Sequence, residues 1–253
     1  MIIDLQHTIF MIISLLVIVA CQVLFGIFIK NEKKKELVLK IFALLTVFLH
    51  YSNLWVDYFM TGSATISNVQ LLPIYPCHIS MWLLVICAFI KNKKGKLFKI
   101  LAETLFYLGL VGGVIGIALN ENYIADPNLL NWHVLQGLLS HVTLLIGCIY
   151  ILVGKFIKIR VSNTISCIIG LSGLIIDGLL IIGLHQLAGL NPPNAMYLLD
   201  IPFKLAPWIN TWTIGLTAVV LIFSITAVHE QIHLRPEDRW YNKFKKENKR
   251  EVK

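Results

Sequence analysis

Seven times along the chain, some twenty residues pass with few charges, each run about the length that crosses ~30 Å of hydrocarbon as a helix. The runs are approximately 8–29, 37–59, 73–90, 98–119, 129–153, 163–187 and 208–228. With 57% hydrophobic and only 14% charged residues, the chain is far from a soluble domain, which averages about 25% charged. This predicts an all-α integral membrane protein, a bundle of seven transmembrane helices. One membrane domain is expected over 1–228, followed by a basic cytoplasmic tail over 229–253. The first run lacks a basic leader and is followed by KNEKKK, so it is expected to remain a span rather than be cleaved as a signal.

Charge sets the expected orientation. Of the 22 Lys and Arg, 21 fall in the connections 30–40, 91–99 and 154–162 or in the tail. Threaded seven times, the chain puts all of these on one side and leaves only Lys204 on the other. The positive-inside rule then places the N-terminus outside and the C-terminus inside. The net charge of +8 is thus read as topology, and no nucleic-acid partner is expected.

The stretch LPIYPCHISM, residues 72–81, is an unusual opening for an apolar run. Proline is favoured in the first helical turn, so Pro76 is expected to start the helix with Cys77 next. The amides of Cys77, His78 and Ile79 are then expected to lack intrahelical partners. A helix N-terminus favours a thiolate, and free amides there are placed to hold an oxyanion. A packed cysteine remains the alternative. The other four cysteines lie inside apolar runs, where cysteine is usually a small hydrophobe, and no CxxC occurs.

Ionisable groups within spans are costly and are functional candidates. His50 and Asn53 fall in the second run, His133, Gln136 and His141 in the fifth, and Asp177 and His185 in the sixth. In WHVLQGLLSH, positions 133, 136, 137, 140 and 141 share a helical face. At 1.5 Å per residue, Cys77 and His133 lie roughly 6 Å below the outer end of their runs, and His141 and His50 roughly 15 Å. These depths suggest one outward-open cavity; an interhelical hydrogen-bonding seam is the alternative. Asp177 reads better as structural than as an ion site, and GLVGGVIG, residues 109–116, reads as a close-packing face. The proline-rich connection 188–207 is expected to fold over the cavity as a lid.

LPIYPCHISM, WHVLQGLLSH and NPPNAMYLLDIP, in that order, resemble the YwaF-like bacterial membrane proteins and their relatives in the transmembrane protein 164 family. The resemblance implies a cysteine-dependent acyltransferase that moves a fatty acyl chain between phospholipids in a bacterial plasma membrane. It implies Cys77 as nucleophile and His141 as base, with His133 the other base candidate. Many bacterial members read LPLHLC, with histidine where this chain has Tyr75; here His78 follows the cysteine instead. His78 points about 100° away from Cys77 around the helix, which weakens it as a base. His50, Asn53, His78, Gln136, Asn194 and Tyr197 are the expected substrate-binding groups, with Asn53 or Gln136 steadying the oxyanion. No cofactor or metal is expected, and phospholipids and the membrane are the expected partners. Two other classes remain: a haem protein ligated by His50 and His141, and a small-molecule transporter or binding protein.

Overall fold

A computed structural model describes residues 4–62, 72–200, 208 and 210–242. Lys204, part of the expected lid and the tail beyond 242 lie outside the described residues. Among the described residues, the secondary structure is helical throughout. Helix α1 spans Leu5–Phe28 and is capped by the Asp4 carboxylate, which accepts from the His7 amide. Helix α2, Glu32–Thr61, begins at Asn31, whose side chain accepts from two amides. It ends at Gly62, where φ of 71° suits a residue without Cβ. Helix α3 is Pro76–Phe89, α4 is Lys96–Ala118 and α5 is the short Glu121–Ala125. Helix α6, Trp132–Val153, is followed by α7, Ile165–Leu187, and α8, Thr211–His233. A capping box formed by Asn210 and Thr213 starts α8.

Among the described residues six helices are long and apolar enough to cross a membrane: α1, α2, α4, α6, α7 and α8. The expected third span is the exception. Its helix has 14 residues, about 21 Å of rise and short of the ~30 Å hydrocarbon core. The reason lies at its start, where Pro73 to Tyr75 are non-helical and the helix begins only at Pro76.

Helix α6 is the axis of the bundle, packed against α1, α2, α3, α4 and α5. Small residues let it approach its neighbours. A Cβ at Gly109 would fall 2.2 Å from Cys148 Sγ, and one at Gly113 2.5 Å from Leu145. One at Gly147 would fall 2.7 Å from Leu84. The glycines of α4 therefore form a close-packing face, as their spacing suggested. By contrast α1 and α8 are peripheral and expose leucine, isoleucine and valine along their length. In water such surface costs about 25 cal/mol per Å², whereas lipid tails accept it.

All the basic connections sit at one end of the bundle. Lys40 lies 5.8 Å over the Phe89 ring, joining the start of α2 to the end of α3. Phe25 and Tyr150 stack edge-on at 5.3 Å, joining the ends of α1 and α6. Asn163 donates to Glu103 at 2.6 Å, and the Val161 amide donates to Glu230 at 2.7 Å, bringing the starts of α4 and α7 to the end of α8. At the opposite end the Tyr123 hydroxyl donates to Asp4 at 2.6 Å, and Trp132 Nε1 donates to Ser52 at 3.1 Å. The His7 amide, ahead of the Tyr123 hydroxyl, holds the Asp4 carboxyl below its ordinary range.

Candidate functional site

A cavity of about 480 Å³ opens at the end of the bundle opposite the basic connections. Helices α2, α3, α4, α6, α7 and α8 all contribute to its wall. It is large enough for a small ligand or part of a lipid. Cys77, His141, His133, His50, His78, Asn53, Gln136 and Tyr197 all line it. Their meeting in one space could not be read from any single helix.

Cys77 is a free, half-buried thiol in the first turn of α3. Tyr75 precedes the helix without a side-chain cap, and its carbonyl accepts from the His78 amide at 2.9 Å and the Ile79 amide at 3.4 Å. Two of the three amides expected to be free are therefore engaged, because the first turn tightens onto the Tyr75 carbonyl. The Cys77 amide has no backbone partner among the described residues. It faces α4 where that helix carries Gly112, whose absent Cβ would sit 4.0 Å from this nitrogen.

One turn further along α4, Gly116 faces the ring of His141. A Cβ there would lie 2.2 Å from Nε2. The Cys77 amide and the His141 ring thus lie on one glycine face about 6 Å apart in level. His141 Nδ1 lies 2.7 Å from the Gly137 carbonyl. Since a carbonyl only accepts, Nδ1 carries the proton and Nε2 is left as the basic nitrogen. His133 differs: its Nε2 lies 3.0 Å from Asp57 Oδ1 at the half-exposed rim.

The remaining expected residues separate by role. His78 is buried, with Nδ1 3.3 Å from the Leu72 carbonyl, and its ring packs against His50 at 4.5 Å and Tyr75 at 5.4 Å. His78 thus braces the start of α3 against α2. Gln136 Nε2 donates to the His133 carbonyl at 3.1 Å, while its Oε1 and the Asn53 Oδ1 are buried without partners among the described residues. These free amide atoms are acceptors, so they suit a hydroxyl donor better than an oxyanion. Asn194 does not line the cavity. Its Oδ1 accepts from the Leu199 and Asp200 amides at 3.0 Å each, organising the connection after α7. Asp177 also stands away from the cavity.

The described part of that connection closes over the site through Met196 and Tyr197. Met196 and Tyr197 both adopt left-handed backbone, with φ of 51° and 54°, which costs side chains bearing a Cβ roughly 1–2 kcal/mol each. The Met196 amide donates to the Ile74 carbonyl at 2.8 Å, and Thr211 Oγ1 donates to the carbonyls of Met196 and Tyr197 at 2.7 and 3.0 Å. Met196 is buried against the cavity. The Tyr197 hydroxyl donates to Glu121 at 2.6 Å, and its ring lies 5.3 Å from that of Tyr75. Burial drives the Tyr197 phenol well above its ordinary range, and the Glu121 carboxylate adds to the shift. Glu121, Tyr75, Gly112 and Gly116 also line the cavity, the two glycines having been expected only as part of a close-packing face. The spacing of the two glycines one turn apart was the one available signal.

A family model described as the TMEM164 family matches residues 2–228. The match includes every residue of the cavity wall and stops within α8. No curated protein and no solved structure matches the chain.

Proposed function

We propose, for a chain that belongs to the TMEM164 family, that the cavity is the active site of a cysteine acyltransferase moving fatty acyl chains between phospholipids. In this reading all seven apolar helices traverse a bacterial plasma membrane, and the N-terminus and cavity mouth face outside. The short α3 fits because its outer end meets the cavity and protein covers its backbone. Gathering the 21 basic residues on the inner side supports the orientation. One observation carries the chemistry: a thiol at a helix start and a histidine with a free Nε2 line one cavity among lipid-facing helices.

Cys77 Sγ passes its proton to His141 Nε2 and attacks the ester carbonyl of a donor phospholipid. The Cys77 amide donates to the developing oxyanion. As the C–O bond breaks, His141 returns the proton to the departing oxygen and the lysophospholipid leaves, with the acyl chain held as a thioester. An acceptor hydroxyl gives its proton to Nε2 and attacks the thioester. The C–S bond breaks and the sulfur recovers its proton. His133, paired with Asp57, positions groups at the rim.

Incubation with labelled phospholipid followed by rapid quenching tests this reading. Label should appear at Cys77 alone and be released by hydroxylamine. His141→Ala should slow its formation by roughly 10²-fold. Label that persists in Cys77→Ala, or lipid remodelling at the wild-type rate in that variant, overturns the proposal.

A further inference from the structure

We infer that the seam between α7 and α8 is a lateral portal through which the hydrocarbon chain of a bilayer lipid reaches the Cys77 cavity. The inference rests on the acyl-transfer reading for the fate of that chain; the seam itself stands on geometry.

Helix α8 is fastened at its two ends. At the outer end Thr211 bonds the carbonyls of Met196 and Tyr197. At the inner end the Glu230 carboxylate accepts from the Val161 amide at 2.7 Å and the Trp240 amide at 3.0 Å. Between these fastenings α8 buries only Ala218, Ile222 and Thr226, a stripe one residue wide. It touches α7 sparsely.

A second cavity of about 210 Å³ occupies this loose seam, lined in part by Cys167, Ile168, Val219, Val220 and Phe223. It shares Cys167 and Ile222 with the main cavity. The main cavity runs along the same two helices, past Leu174 and Leu171 on α7 and past Ile214, Gly215 and Ala218 on α8. The two spaces are therefore neighbours across a wall of two side chains. Both helices are long enough to cross the membrane, so the seam opens into hydrocarbon. Its walls carry no ionisable group other than the Cys167 thiol. A charged headgroup would lose its hydration there, whereas an alkyl chain exchanges one apolar surround for another. The occupant that fits is the acyl chain, with the headgroup kept at the outer mouth.

The test uses the full chain in phosphatidylglycerol nanodiscs doped with a phospholipid carrying a mid-chain diazirine. After irradiation, adducts are mapped by peptide mass spectrometry. Adducts are expected on Leu108, a cavity-wall residue that is buried and out of reach of bulk lipid. Val219→Trp fills the seam and should lower them by roughly tenfold or more, because an indole displaces a chain of similar cross-section from a close-packed site. Ile225→Trp, on the lipid-exposed side of the same helix, should leave them unchanged. If Val219→Trp does not fold, Val220→Trp decides, since Val220 also lines the seam cavity and is exposed; it should lower the adducts likewise. Leu108 left unlabelled in the wild type, or labelled equally in the seam-filling variants, overturns the portal. Photolabelling needs no turnover, so Cys77→Ala should label like the wild type. Loss of the thioester reading with this labelling intact sinks the acyl transfer alone. A thioester at Cys77 formed without seam-dependent labelling sinks the portal alone.

Discussion

Gly116 leaves room for the ring of His141, because a Cβ there would fall 2.0 Å from Cδ2 and 2.2 Å from Nε2. Gly116→Ala should swing the ring off the Gly137 carbonyl while leaving Cys77 in place. Misplacing a catalytic group by about 1 Å can cost 10²-fold. Turnover should therefore fall by roughly that factor, with alkylation of Cys77 by a lipophilic thiol reagent unchanged. Turnover at the wild-type rate would remove His141 from the base role. Cys77, the histidines and the two buried amides were legible from residue type alone, since polar groups are costly in apolar runs. The direction of their hydrogen bonds was not. Gln136 spends its donor on the His133 carbonyl and offers an acceptor instead, which only the helix geometry decides.

At the scale of elements, the segment around Met196 shows how an irregular connection is held over a site. Two consecutive left-handed residues are stabilised by Ile74, Thr211 and Glu121, which come from three separate parts of the chain. Tyr197→Phe removes the bond to Glu121. Because that carboxylate is exposed, the loss should be about 1 kcal/mol. Amide exchange at Met196 and Leu198 should then quicken by roughly fivefold. Unchanged exchange would mean that Thr211 and Ile74 hold the strap alone. The prolines and asparagine of NPPNAMY announced a structured connection. Asn194, expected as a substrate contact, instead caps its own loop away from the cavity wall, and composition does not separate a loop organiser from a ligand.

For the whole molecule, the proposed topology is open to direct test. Single cysteines introduced at 122–128 and 190–194 should react with an impermeant reagent from outside, and those at 31–36 should not. Reaction of the 31–36 connection from outside would invert the bundle and move the cavity mouth to the cytoplasmic side. The sequence by itself determined the helical class, the position of each apolar helix and the segregation of basic connections. All three follow from local composition acting against water and hydrocarbon. Tertiary structure alone decided that α6 is the axis and that α8 touches α7 only sparsely. It also decided that Gly112 and Gly116 bring the Cys77 amide and His141 onto one face. These depend on which side chains meet across helices distant in sequence, and an apolar run has the same composition whichever neighbour it packs against.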